Sequence, residues 1–303
     1  MIKRTIYLGN PSKLFKKNEQ LILEQEANEY YPLGNNVSIP IEDLGVLILD
    51  HYQISLTIPL LNSLLENNTA IITCNEKHMP FGMFLPLEKH HTQQERFEYQ
   101  IAASLPLKKN LWAQIITQKL YNQGELLRQH NKKYIQLWHL SKNVKSGDID
   151  NLEAQGAAFY WKNIFELEEK FKREQDGDYP NDLLNYGYAI LRAIAARSLV
   201  GSGLLPTLGL FHSNKYNAYC LADDIMEPYR PFVDAIVLDI IAKDTEATVM
   251  LPWVKKQLIG MSTIDVVVDK QRSPLMVAMQ RTTASLAKCY EGSLKKLVLP
   301  QFI

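Results

Sequence analysis

The chain has 303 residues, 46% apolar and 22% charged, with 33 Lys and Arg balanced by 33 Asp and Glu. This composition excludes a disordered chain and supplies ample material for a core, while the length predicts a large single domain or a small one joined to a larger one. No apolar run reaches the roughly 18 residues of a membrane span, the Met1-Ile2-Lys3-Arg4 start lacks a signal-peptide pattern, and Cys74, Cys220 and Cys289 are too scattered for a disulfide framework or zinc knuckle. A cytoplasmic protein without membrane contact is expected.

Up to about residue 87 the signals are those of strands. "TIYLG", "SIPIED", "GVLIL" and "AIITCN" are short, rich in Ile, Val and Leu, and separated by turn formers, with "YPLGNN" reading as a turn. Only Leu56 to Asn67 reads as a helix there, with Pro59 tolerated in its first turn. After "FLPLEKHH" the texture becomes helical, over roughly 92–104, 107–123, 124–145, 150–174, 181–201, 228–243 and a final set within 252–297. The expected architecture is α+β: a small N-terminal β-sandwich-like domain over 1–88, then a larger all-α domain over 92–303.

Charge is unevenly spread. Residues 1–90 carry 7 Lys and Arg against 10 Asp and Glu, 91–145 carry 9 against 3, and 270–296 form a second basic block. Such blocks suit phosphate backbones and equally suit solvated helix faces.

Three stretches hold polar residues in unusual company. In "NLEAQGAAFYW", Asp150 or Asn151 is the expected cap, and Glu153 shares a face with Gly156, Ala157 and Tyr160. Those small residues leave room for another backbone, although Glu153 also reads as an ordinary first-turn glutamate favoured by the helix dipole. In "YPNDLLNYGYAILRAIAARSLVG", Leu184, Leu191, Ala195 and Leu199 form a core stripe, while Asn185, Tyr188 and Arg192 share another face. In "GLFHSNKYNAYCLADDIMEPYRP", His212 precedes Asp223, Asp224 and Glu227, and Pro228 and Pro231 predict a short helical turn ending near Glu227 before a longer helix. Carboxylates with one imidazole suit Mg²⁺, Mn²⁺ or Zn²⁺, yet separations of 59 and 15 residues among Glu153, His212 and Glu227 form no motif by themselves.

Taken together, "IPIEDLGVLIL", "NLEAQGAAFYW", "LLNYGYAILRAIAARSLVGSGLLPTLGLFH" and "LADDIMEPYRPFVD" resemble, in order and across both domains, the integrase-endonuclease of CRISPR spacer acquisition, in the branch that accompanies type II systems. The resemblance implies a homodimer assembling on a small ferredoxin-like partner, with double-stranded and branched DNA as substrate and the type II effector nuclease among its contacts. It also implies Mg²⁺ or Mn²⁺ held by Glu153, His212 and Glu227, with Asp224 and Arg230 in support and Asp223 solvated. Many relatives have aspartate at the last ligand and alanine where this chain has Gly156.

The implied reaction is attack of a DNA 3′-hydroxyl on a phosphodiester at the leader-repeat junction, or hydrolytic nicking when water attacks, with His212 as a ligand and not a general base. Arg192, Arg197, Lys215, Asn185 and Tyr188 are the candidates for DNA contact. Two other classes stay open on sequence: a metal-dependent hydrolase of a small substrate, and a DNA-binding scaffold whose acids are structural.

Overall fold

The described N-terminal strands are short, none longer than 6 residues, and pair into two small sheets. The computed structural model describes residues 3–25, 35–166, 171–174, 177, 179–243 and 251–302. They divide into two compact units, 1–89 and 90–303. In the first lie β1 (Arg4–Leu8), β2 (Ser12–Lys17), β3 (Gln20–Gln25), β4 (Asn35–Pro40), β5 (Leu44–Leu49), β6 (Ile54–Leu56), α1 (Ile58–Glu66), β7 (Ala70–Cys74) and β8 (Pro80–Phe84). They pair into one sheet ordered β1-β5-β7-β8 and a second ordered β4-β3-β2-β6. Most of the "YPLGNN" turn lies outside the described residues; Asn35 and Asn36 open β4.

β5 is parallel to both β1 and β7. Such a strand is buried on both faces and reads as a continuous apolar run, and Leu44 to Ile48 are all buried. The core joins Leu14, Leu21 and Leu23 of one sheet to Leu47 and Ile71 of the other, with Leu60 and Leu64 of α1 among them. Each such side chain contributes about 1.5–3 kcal/mol relative to exposure.

The second unit contains α2 (Gln93–Ala102), α3 (Leu105–Gln129), α4 (Ile135–Asn143), α5 (Leu152–Ile164), α6 (Asn181–Gly201), α7 (Cys220–Met226), α8 (Arg230–Lys243), α9 (Pro252–Ile259), β9 (Asp265–Val268), β10 (Gln271–Pro274) and α10 (Leu275–Tyr290). α3 packs against α4, α5 and α8, and α6 against α7, α8, α9 and α10. The core stripe Leu184, Leu191, Ala195 and Leu199 is fully buried on α6. No helix among the described residues is long and apolar enough to cross a membrane.

Several boundaries differ from expectation. A break near 123 does not occur, because α3 runs through Gly124, where a Cβ would come within 2.6 Å of Trp138. The chain turns instead at His130 and Asn131, the latter at φ 56°. The helix expected over 150–174 ends at Ile164, with 171–174 irregular. The final helical set also holds the antiparallel β9-β10 hairpin, whose turn residues Asp269 and Lys270 both have positive φ. Asp-Lys lacks the Asn-Gly or Asp-Gly signature that announces such a turn.

The segment after α10 runs back along α3. The Gln114 amide donates to the Lys295 carbonyl and accepts from Leu297 N, Gln301 pairs with Val267, and Phe302 stacks on Phe232 at 4.2 Å.

Candidate active site

A loop wrapped round one buried carboxylate presents His212. Asp224, on α7, is wholly inaccessible and accepts from the backbone N–H groups of Leu210 (2.6 Å), Phe211 (3.0 Å) and His212 (3.3 Å). It also accepts from His212 Nδ1 at 2.5 Å. Gly209 permits the wrap, since a Cβ there would lie 2.2 Å from the His212 carbonyl oxygen. The imidazole stands edge-on to Trp112 and Phe211, which stack on each other at 4.5 Å.

Because a carboxylate only accepts, Nδ1 carries the proton and Nε2 keeps its lone pair, the arrangement by which proteins orient a metal-binding histidine. The hydrogen bond to Asp224 raises the His212 pKa against the opposing effect of burial, with Glu227 and Glu153 adding to the rise. Burial lifts the Asp224 carboxyl above its ordinary value despite its donors.

Glu153 and Glu227 meet through a cation. The Asp148 carboxylate caps α5, accepting from Leu152 N (2.9 Å) and Glu153 N (3.0 Å). This corrects the expected Asp150 or Asn151 cap: Asn151 adopts φ 52° and makes no side-chain capping bond. Glu153 follows in the first turn, and Gly156 three residues on admits the Leu120 side chain, not a backbone, with a Cβ-to-Leu120 distance of 2.1 Å. Glu227 opens the 3-10 turn that joins α7 to α8, as the two prolines predicted. The Asn122 amide of α3 donates to both the Pro228 and Pro300 carbonyls and holds that turn in place.

Lys119 of α3 lies between the two acids, its Nζ 2.7 Å from Glu153 Oε1 and 2.6 Å from Glu227 Oε2. Arg230 Nε stands 2.9 Å from Glu227 Oε1. Burial works against the Lys119 charge, but Glu227 and Glu153 more than reverse it and its pKa rises. For Glu227, burial favours protonation, while Arg230 and Lys119 outweigh it and hold the carboxyl below its usual range.

Beneath this pair lies a network invisible to residue spacing. Asp234 of α8 is buried and accepts from the hydroxyls of Tyr160 (2.7 Å) and Tyr188 (2.5 Å). The Tyr188 ring carries the Arg230 guanidinium 4.6 Å from its centroid and that of Arg173 at 5.4 Å. Burial pushes the Asp234 carboxyl up to about 6, opposed by the two tyrosines and Arg230. Tyr160 sits two turns beyond Glu153, so the bond to Asp234 fixes the helix that bears Glu153 against the helix that follows Glu227.

Among the described residues no three His, Cys, Asp or Glu side chains form a ready metal-binding group as placed. Glu153 and Glu227 converge on one ammonium, and His212 is electrostatically coupled to both. The donor set nevertheless fits a hard divalent ion: Lys119 shows that a cation is accommodated between the two carboxylates, and Glu227 Oε2 is buried with no aligned hydrogen-bond donor.

The remaining candidates separate by burial. Asp223 is buried and not solvated, because Arg192 Nε (2.6 Å) and Asn217 Nδ2 (2.7 Å) donate to it. Tyr188 and Arg197 are buried, which withdraws both from direct DNA contact; burial lowers the Arg197 pKa to about 10. Asn185 accepts from Arg173, Arg192 is partly exposed, and Lys215 is exposed beside Tyr216. Lys119 and Asp234 were missed. Both had a signal: Lys119 falls on the apolar stripe of Trp112, Ile115 and Ile116, and Asp234 interrupts the apolar run after Arg230.

Comparison with known proteins then gives the family. The family model described as CRISPR associated protein Cas1 matches residues 6–248. The CRISPR-associated endonuclease Cas1 of Neisseria meningitidis is 34% identical, over 100% of this chain and 97% of its own. A casposase bound to integration product superposes with TM-score 0.80 at 18% identity, covering 97% of this chain and 92% of that one. A Cas6-RT-Cas1–Cas2 complex gives TM-score 0.72 at 18% identity, over 97% of this chain and 36% of that one. The family match over most of the chain, and a full-length relative of the same name, make this protein a member of the CRISPR-associated Cas1 endonuclease family.

Proposed function

We propose that this endonuclease is of the type II branch and inserts prespacer DNA into the CRISPR array, a 3′-hydroxyl attacking the phosphodiester at the leader-repeat junction, with hydrolytic nicking when water attacks. The observation that carries the reading is the convergence of Glu153 and Glu227 on one cation beside an imidazole oriented by Asp224. The casposase with its integration product supports strand transfer on this fold.

Glu153, His212 Nε2 and Glu227 would hold Mg²⁺ or Mn²⁺. The bound ion would supply charge stabilisation at the target phosphate. Asp224 fixes the imidazole, Arg230 orients Glu227, and the Trp112-Phe211 stack limits the swing of the His212 ring. Exchange of one phosphodiester for another needs no external energy source, so the residues have to position and neutralise charge.

Backbone contacts would come from the exposed Lys109, Lys133, Lys142 and Lys145, together with Arg192, Lys215 and Asn185. The N-terminal unit, 1–88, would serve dimerisation and contact with the small ferredoxin-like partner, with 92–303 catalytic. Its exposed Tyr52, Ile58, Phe81 and Leu87 are the kind of apolar surface that a partner covers. The Cas1–Cas2 complex among the structural relatives supports such an assembly.

The test is transfer of a labelled prespacer into a repeat-bearing plasmid, with the partner and Mg²⁺ or Mn²⁺ present. Glu153→Ala, His212→Ala and Glu227→Ala are each expected to lose roughly a hundredfold in rate. Wild-type transfer by all three would remove the site assignment.

A further inference from the structure

We infer that Lys119 is a resident counter-cation that competes with the divalent ion for Glu153 and Glu227 and sets the metal concentration at which the site loads. This rests on the reading of those two acids as metal ligands.

The geometry is that of one cation in two coordination directions. The Lys119 ammonium lies 2.7 Å from Glu153 Oε1 and 2.6 Å from Glu227 Oε2, so an ion using the same two oxygens has to displace it. The Lys119 side chain is 9% exposed and that of Glu227 5%, which leaves water little part in compensating Glu227, while Glu153 keeps a part-exposed edge. A buried carboxylate, Glu227, and a part-exposed one, Glu153, repel when they face one another, and the ammonium between them relieves that repulsion in the metal-free protein. Arg230 shares in compensating Glu227 from its other oxygen, but it is Lys119 that contacts both acids and so links them. Lys119 is tethered to α3, whereas its displacement is reversible, so each metal-binding event starts from a site whose acids are already paired. Competition of this kind weakens the apparent affinity by the fraction of molecules in which the acids are engaged. It also keeps the acids in register for a metal, since both are drawn towards the same point.

The experiment is Mn²⁺ titration of the full chain without DNA, followed by the electron paramagnetic resonance of the free ion, with thermal unfolding alongside. Lys119→Met is expected to bind Mn²⁺ about tenfold or more tightly than wild type, and to melt lower without metal yet gain more from Mn²⁺. Lys119→Arg, which keeps the charge, is expected to stay near wild type. Glu153→Gln and Glu227→Gln report on the underlying reading. If they lose Mn²⁺ binding while Lys119→Met binds no tighter than wild type, the counter-cation role fails and the ligand assignment stands. If they bind as wild type does, the ligand assignment itself fails, and the competition with it.

A measurement on the wild type removes dependence on the folding of Lys119→Met. The ¹⁵Nζ resonance of Lys119, assigned by its loss in Lys119→Arg, is expected to move to a solvent-exchanging position as Mg²⁺ is added. A resonance unmoved at saturating Mg²⁺ would overturn the inference.

Discussion

Asp224 and Glu227 are buried carboxylates three residues apart, and they are neutralised by different chemistry. Asp224 is compensated by three backbone N–H groups and an imidazole, all fixed by the loop from Gly209 to His212. Glu227 is compensated by Lys119 and Arg230, side chains from α3 and the start of α8. Backbone donors cannot leave without unfolding the loop, whereas a lysine can withdraw along its own stem. The first acid is therefore committed to architecture and the second is free to exchange partners.

The largest expected effect comes from breaking the first arrangement. Asp224→Ala strands its donors and is expected to cost about 3–5 kcal/mol in denaturant unfolding. Added Mg²⁺ should not recover it, whereas a recovery would place Asp224 among the exchangeable acids and erase the contrast with Glu227.

Asp234 probes the ground beneath Glu227. Its folded pKa of about 6 exceeds the ordinary 3.8, so the folded state holds the proton more tightly. Its contribution to stability is present below 3.8 and is lost as the pH rises towards 6, in total about 3 kcal/mol. Asp234→Asn should flatten that part of the stability profile; an unchanged slope between those pH values would show that the buried group does not titrate there.

A smaller effect separates loop from turn. Gly209→Ala pushes a methyl against the His212 carbonyl and is expected to cost about 2 kcal/mol and slow DNA processing. Gly260→Ala, with nothing within 4 Å, is the matched control and should melt as wild type. Equal melting of the two variants would mean that the loop relaxes without disturbing its grip on Asp224.

Much of the scaffold was legible because burial and periodicity coincide in it. The continuous run Leu44 to Ile48 is a doubly covered strand, and the stripe from Leu184 to Leu199 is the inner face of a long helix. The grouping of Glu153, His212 and Glu227 came from resemblance and not from spacing, since they lie on α5, on the loop before α7 and on the turn after it, with no fixed spacing. Lys119 and Asp234 escaped because a charged residue within an apolar pattern reads as an interruption until its partner on another helix is known. The Asp148 cap escaped for a local reason: Gly147, Asp148 and Asn151 all take positive φ, which redirects the carboxylate onto the helix start. Asn185, Tyr188 and Arg192 do share a face, and each meets a partner within the protein, Arg173, Asp234 and Asp223 respectively, with Tyr188 buried and the Arg192 side chain still 42% exposed.

The Asn122 amide, shared between Pro228 and Pro300, has a consequence for biogenesis. A ribosome delivers α3 and the Glu227 turn long before it delivers residue 300, so the nascent helical unit carries its acids on a turn that is only half tied. Until the Pro300 carbonyl arrives, the Asn122 amide has only its Pro228 partner of the two, so a growing chain that has already delivered Glu153, His212 and Glu227 still lacks that tie.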